Sequence, residues 1–432
     1  MLKGCKRLSF LASATLFAAV ASLGACGAGA SAGTEQTVKS RVEPAIKGLM
    51  KQYGIPGASV AVAYQGKMVY QGGIGLSDVA TGEKVTAQTR FRFASVSKAL
   101  TAVTVLRLYE KSLPEALDQK VFGPQGLLPD AAFPEYVKPK DARVLDITLR
   151  DLLQHTSGWS IDGYDPQFDL VNVAREMGVA APASPRTIIA YMLRHHELGA
   201  APGSQAMYSN FGYNILGRII EYKTGKPYVQ AVKDTVLRRA GAASMFIPAA
   251  SGAIRMPGET VYYDYPNAEL STSVNGSGLK GPASYVGLDF NSMDAHGGWA
   301  GTPADLVRFA LALQGKDGKP ALLSPQTMKL VSQRSPRFPD SQYGLAFNVL
   351  DENGVRILER PGALVGGTYA IVQMRDDGWT WALALNRMPI SDPVNLSMDK
   401  IAIDLTNARD AVSKAVDVIA RSSKPAAAIA LR

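Results

Sequence analysis

Ser95 and Lys98 stand three residues apart in Phe93-Ala94-Ser95-Val96-Ser97-Lys98-Ala99-Leu100, an apolar run that favours a helix. One helical turn puts the hydroxyl and the amine on the same face. A serine hydroxyl becomes a useful nucleophile only when a neighbour takes its proton, and a lysine can do so only when a desolvated or cationic setting lowers its pKa. A place at a helix N-terminus would give Ser95 a favourable dipole and unpaired backbone amides. Ser-x-x-Lys also recurs by chance on solvated helices, so other residues must support it.

Support comes from Pro202-Gly203-Ser204-Gln205-Ala206-Met207-Tyr208-Ser209-Asn210-Phe211-Gly212-Tyr213-Asn214, a turn that delivers Tyr208 and Asn210 ahead of a new helix. The apolar positions Ile215, Leu216, Ile219 and Ile220 have helical spacing. Tyr208 can carry a proton if cations such as Lys98 hold its phenol partly ionised. Asn210 has the donor and the acceptor to fix Lys98 or a substrate amide.

With both motifs in this order, the chain resembles the penicillin-recognising serine hydrolases: class C β-lactamases, D-alanyl-D-alanine carboxypeptidases and related esterases of the family VIII type. Tyr53-Gly54-Ile55-Pro56-Gly57 before a hairpin, Leu149-Arg150-Asp151-Leu152-Leu153-Gln154-His155-Thr156-Ser157-Gly158, and Gly297-Gly298-Trp299-Ala300-Gly301-Thr302-Pro303-Ala304-Asp305-Leu306 extend the resemblance over roughly residues 45 to 390.

The family's third motif, Lys-Thr-Gly or His-x-Gly, lies on a strand opposite the nucleophile. The literal Lys223-Thr224-Gly225 directly follows the Asn210 helix and reads as its end, with Gly225 as the C′ residue and Pro227 as the stop. Arg360-Pro361-Gly362-Ala363-Leu364-Val365-Gly366-Gly367-Thr368-Tyr369, between strand-like 355–358 and 369–372, matches the family's spacing better. Arg360 then stands where His or Lys is usual. It can keep the site electropositive, help ionise Tyr208 and bind a substrate carboxylate bidentately, but it cannot shuttle protons. Gly362 permits close backbone approach. The resemblance implies that the amides of Ser95 and Ala363 form the oxyanion hole.

The 432 residues, 47% hydrophobic and 19% charged, are ordinary for a globular protein. Lys3, Lys6 and Arg7 precede an apolar run over about 8–21 that is short for a membrane span and suits a secretory signal. Leu23-Gly24-Ala25-Cys26 resembles a bacterial lipobox, which makes Cys26 the lipidated first residue and 26–36 a flexible tether. Cleavage after Ala30-Ser31-Ala32 is the alternative and gives a soluble periplasmic protein. The expected location is therefore the cell envelope, held to an outer membrane by a lipid or free in the periplasm. The only cysteines are Cys5 and Cys26, so the folded body has no disulfide and no cysteine metal site. The formal charge of +9 loses three units with Lys3, Lys6 and Arg7, and no basic stripe remains, which excludes a nucleic-acid partner.

Helix 37–53 is followed by alternating strands at 58–63 and 67–72 around Gln65-Gly66. Helices dominate 95–240, including 184–195, 211–222 and 228–239. Residues 241–297 are irregular and are expected to border a cleft. Thr302 caps a helix that begins with Pro303. Strands return at 344–350, 355–358, 368–374 and 380–385 before a helix over 395–420. This order predicts an α/β antiparallel sheet domain, 37–93 with 298–422, flanked by terminal helices and holding an inserted helical domain, 94–297, with the site at their junction.

Beyond the N-terminal segment there is no Gly-x-Ser-x-Gly elbow, which removes the α/β-hydrolase reading. His195-His196-Glu197 lacks zincin spacing, His155 reads as structural, and His296 before Gly297-Gly298 stands where it could edge the cleft but is assigned no role. The expected chemistry is two-step acyl transfer by Ser95, Lys98 and Tyr208 with Asn210 orienting, without metal or cofactor. The substrate would be a small ester, D-alanyl peptide, peptidoglycan fragment or β-lactam-like amide. The alternative is an envelope module that binds or senses penicillin without turnover.

Overall fold

The computed structural model describes residues 24–129, 138–249, 255–364 and 367–422. The expected signal segment lies outside the described residues, as do the Cys26 side chain and Val365 and Gly366 of the third motif. Helix α1 spans Gly24–Tyr53. The helix includes the segment 26–36, in keeping with the alanines at 28, 30 and 32.

Strands β1 (Gly57–Tyr64) and β2 (Lys67–Asp78) form the expected hairpin, with Gln65 and Gly66 both at positive φ, 48° and 81°. Two left-handed turn residues match the twist of the flanking strands. Short β3 (Glu83–Lys84) adds at the edge, and the later strands are β4 (Asn348–Glu352), β5 (Val355–Leu364), β6 (Thr368–Arg375) and β7 (Trp379–Leu385). Together they make one seven-stranded sheet in the order β3-β2-β1-β7-β6-β5-β4, antiparallel in each pair. The strand expected from 344 begins at Asn348, because 344–347 closes as a turn with Gly344 N donating to Phe347 O at 2.8 Å.

The period of two divides the sheet's side chains by size. One face carries Val60, Val62, Ile371, Trp381, Leu383 and Leu385, and packs on α1 and on α5 (Met398–Ser422). Tyr53 OH donates to Asp404 Oδ1 at 3.0 Å where these terminal helices meet. The other face is lined by Ala61, Ala63, Ala370, Ala382 and Ala384, small enough for helix α4 (Pro303–Leu313) to lie close. Thr302 and Asp305 form a reciprocal capping box at the start of α4, with Pro303 in its first turn.

Between β3 and α4 most of the regular structure is helical, joined by long irregular segments. Helix α2 (Ser97–Leu108) is buried from Ser97 through Leu106. Helix α3 (Asn210–Thr224) starts at an N-capping Ser209 and stops at Gly225 with φ +65°. Lys223-Thr224-Gly225 is thus a helix end, and the arginine motif is the one on a strand: Arg360, Pro361 and Gly362 lie within β5 itself. Among the described residues no helix is long and apolar enough to cross a membrane.

Candidate active site

Ser95 sits in a 3-10 turn, Ala94–Val96, that runs directly into α2. Ala94 is fully buried at φ +47°, a left-handed conformation that costs an alanine energy. Packing holds it there: Ala94 joins Leu288, Phe290, Met293 and Leu364 in one apolar cluster, and Phe93 N donates to Trp299 O at 2.8 Å. The turn thereby presents Ser95 while α2 carries Lys98 inward.

β5 presses against this turn, and Gly362 is the reason it can. A Cβ at residue 362 would lie 2.3 Å from Phe93 O, 2.6 Å from Ser95 N and 2.7 Å from Val96 N. All three are backbone atoms with no rotamer to move aside. The strand segment bearing Gly362 and Ala363 therefore lies alongside the Ser95 amide.

Two polar groups meet at the serine hydroxyl. Lys98 Nζ is 3.0 Å from Ser95 Oγ, and Tyr208 OH is 2.8 Å from the same oxygen. Lys98 is fully buried and donates to the His296 carbonyl at 2.8 Å. Burial, reinforced by the Arg360 charge, lowers its pKa well below the usual lysine range and so favours the free amine over the ammonium. Burial pushes the Tyr208 phenol up to about 12, with Arg360 and the Ser95 hydrogen bond opposing the rise. This corrects the expectation of a partly ionised tyrosine: with Lys98 uncharged and the ring buried, Tyr208 rests as a phenol and donates.

Arg360 is only 3% exposed, so it is not an open receptor for a substrate carboxylate. Its Nε donates to Ser95 O at 3.3 Å and its Nη2 lies 3.3 Å from His155 Nε2. The guanidinium also sits 5.8 Å and 5.7 Å from the ring centres of Tyr208 and Tyr213. His155, at φ +59°, accepts from Ser209 N through Nδ1 at 3.2 Å. Burial and the Arg360 charge lower the pKa of its imidazole well below the usual histidine range, favouring the neutral ring. Among the described residues no carboxylate forms an ion pair with Arg360, and its charge adds to burial in lowering the Lys98 pKa.

Asn210, in the first turn of α3, does not hold Lys98. Its Nδ2 donates to Asp165 Oδ2 at 2.7 Å, and Asp165 in turn favours the charged form of Lys98. Asp165 had no local signal in the sequence; only its position seven residues after Gly158 brings it to the cleft. Arg92 was also missed. Its guanidinium donates to Glu259 at 2.8 Å and lies over Tyr262 and Phe290, at 4.3 Å and 4.6 Å, which pins the irregular 255–290 stretch to the strand entering the nucleophile turn. A basic residue three positions before Ser95 was the one available hint. Among the described residues no cluster of His, Cys, Asp and Glu is arranged to hold a metal.

A family model described as Beta-lactamase matches residues 42–401. The esterase EstB of Burkholderia gladioli is 28% identical over 210 residues, 48% of this chain and 50% of that protein. A D-aminopeptidase of Brucella anthropi is 27% identical over 209 residues, 47% of this chain and 35% of the relative. The chain thus spans about a third to a half of the length of the curated relatives it matches. The solved structure of D-amino acid amidase from Ochrobactrum anthropi SV3 with L-phenylalanine superposes with a TM-score of 0.66 at 20% identity, over 90% of this chain and 99% of that one. At that identity the likeness is one of fold.

Proposed function

Because the chain belongs to the beta-lactamase family of serine hydrolases, we propose that it hydrolyses an ester, D-alanyl peptide or β-lactam-like amide through an acyl-enzyme on Ser95. One observation carries the reading: a free amine and a phenol both lie within hydrogen-bond reach of one hydroxyl, at 3.0 Å and 2.8 Å. The relatives named for esterase and D-aminopeptidase activity support a carbonyl substrate.

In the first step Ser95 Oγ bonds to the carbonyl carbon while its proton passes to Lys98 Nζ. The oxyanion is held by the Ser95 and Ala363 amides. As the intermediate collapses, the bond to the leaving group breaks and Tyr208 supplies the departing atom with a proton, which Lys98 restores. Water then attacks the ester by the same path in reverse. Asn210, fixed by Asp165, orients the substrate's acyl side. Arg360 serves by its charge, which disfavours an ammonium at Lys98. The basic and apolar composition of the first 23 residues supports export as a lipoprotein or a soluble periplasmic protein.

The decisive test is intact-protein mass spectrometry with a fluorophosphonate, then with p-nitrophenyl acetate and benzylpenicillin. The wild type should gain one adduct, mapped to Ser95 and missing in Ser95→Ala. An unlabelled wild type, or a labelled Ser95→Ala, removes the reading; a penicillin adduct that never turns over would favour the binding module.

A second expectation concerns pH. The Arg360 cation lowers the Lys98 pKa, so Arg360→Met should raise it. More of the amine is then protonated at any given pH, and the acid limb of kcat/KM should move to higher pH. An unmoved limb would separate Arg360 from Lys98.

A further inference from the structure

Behind Lys98 lies an ion pair that the reaction itself does not use. Arg218 on α3 and Asp294 in the short helix Asp294–Gly297 are 3% and 8% exposed, and Arg218 Nη2 donates to Asp294 Oδ2 at 2.7 Å. Glu221 Oε2 lies 3.1 Å from Arg218 Nε. Burying such charges is costly, and a well-packed apolar pair in their place is often no less stable. Such a pair is weak evidence of a contribution to stability, so what matters is the segment it holds.

The segment that Asp294 anchors is bound to the nucleophile helix at three successive points. Lys98 Nζ donates to His296 O at 2.8 Å, Thr101 Oγ1 to Ala295 O at 2.5 Å, and Trp299 N to Ser97 Oγ at 3.0 Å. On the other side, Asp294 Oδ1 accepts from Ala295 N at 2.6 Å. Gly217 on α3 lets the segment lie close: a Cβ there would be 2.6 Å from Ala295 Cβ. Tyr228 OH ties the ends, 2.7 Å from Thr101 Oγ1 and 3.0 Å from Trp299 Nε1.

We infer that the buried Arg218–Asp294 pair positions Lys98 for proton transfer, acting through the His296 carbonyl. An uncharged amine has two N–H bonds and one lone pair. The carbonyl takes one N–H, and that bond sets the rotation of the amine and turns the lone pair toward Ser95 Oγ, 3.0 Å away. The ion pair holds the carbonyl because it joins the 294–297 turn to α3, the helix whose N-terminus follows Tyr208. Base and proton carrier are thereby kept in register from a single helix. Arg218 and Asp294 touch no reacting atom, so they are positioning residues.

The inference rests on the hydrolase reading, and the test separates the two. Arg218→Met/Asp294→Leu replaces the pair with apolar groups of similar size, and its Tm should stay within a few degrees of wild type or rise. Its rate of fluorophosphonate labelling and its kcat for p-nitrophenyl acetate should fall at least about 10-fold, with KM within about 3-fold, because a shift of about 1 Å in a reacting group can cost 100-fold. Arg218→Lys, which keeps the charge but loses the forked geometry, should recover part of that loss. A folded double variant that labels at the wild-type rate overturns the inference while leaving the hydrolase reading intact. If the double variant does not fold, Arg218→Lys decides: a drop of about 3-fold or more in labelling supports the inference, and an unchanged rate overturns it. A wild type that is never labelled sinks both.

Discussion

Lys98→Met is expected to lower kcat by about 10³- to 10⁴-fold and at the same time to raise the melting temperature by a few degrees. The loss follows from removing the only uncharged amine beside Ser95 Oγ. Ser95→Ala should cost about as much, and the double variant little more, since the two residues act as one unit. The gain in stability has a separate origin. Lys98 is fully buried, and burial lowers its pKa in the native state, whereas the unfolded chain binds a proton up to about pH 10.4. Methionine has a similar length and no such demand. It leaves the His296 carbonyl without its donor, a cost of about 1 kcal/mol that trims the gain.

The sign of the pH dependence distinguishes this account from simple repacking. A lysine whose native pKa is depressed leaves the unfolded state holding more protons below the unfolded pKa, so wild-type stability rises with pH through that window. Lys98→Met lacks this slope. The difference in Tm should therefore be largest near neutral pH and shrink toward pH 10. A constant difference, or a destabilised Lys98→Met at pH 7, would mean that the amine is not held neutral in the fold.

Gly362→Ala should cost at least about 100-fold in kcat, with a smaller change in KM. The added methyl meets Phe93 O, Ser95 N and Val96 N at 2.3–2.7 Å, so either β5 or the nucleophile turn must move. Both carry an amide proposed for the oxyanion hole, and that hole works only when its donors are already in place. Overpacking of this kind also costs about 1–3 kcal/mol, visible as a lower Tm. Gly48 in α1 is the control: nothing lies within 4 Å of its Cβ position, so Gly48→Ala should leave activity unchanged. Wild-type kcat in Gly362→Ala would show that the strand and the turn are free to part.

Much of the frame was readable without coordinates because its signals are local. Gln65-Gly66 specifies a turn through backbone sterics, Thr302-Pro303 with Asp305 a helix start, and Gly225 a helix stop. The central strands are buried on both faces, so their alternation is between small and large apolar side chains rather than between apolar and polar ones. The start of β4 was harder to read, since the 344–347 turn depends on a hydrogen bond between backbone groups that no residue type announces.

Residue types and spacing alone determined that a hydroxyl and an amine share one helical turn, and that a tyrosine and an arginine strand motif follow in an order resembling one family. Only the tertiary structure decided what state these groups are in. Burial made Lys98 an amine and kept Tyr208 a phenol, packing turned Arg360 inward to His155, and a loop carbonyl aimed the base. Protonation depends on the dielectric and the charges surrounding a group, and those come from chain segments as far apart as residues 98, 165, 296 and 360.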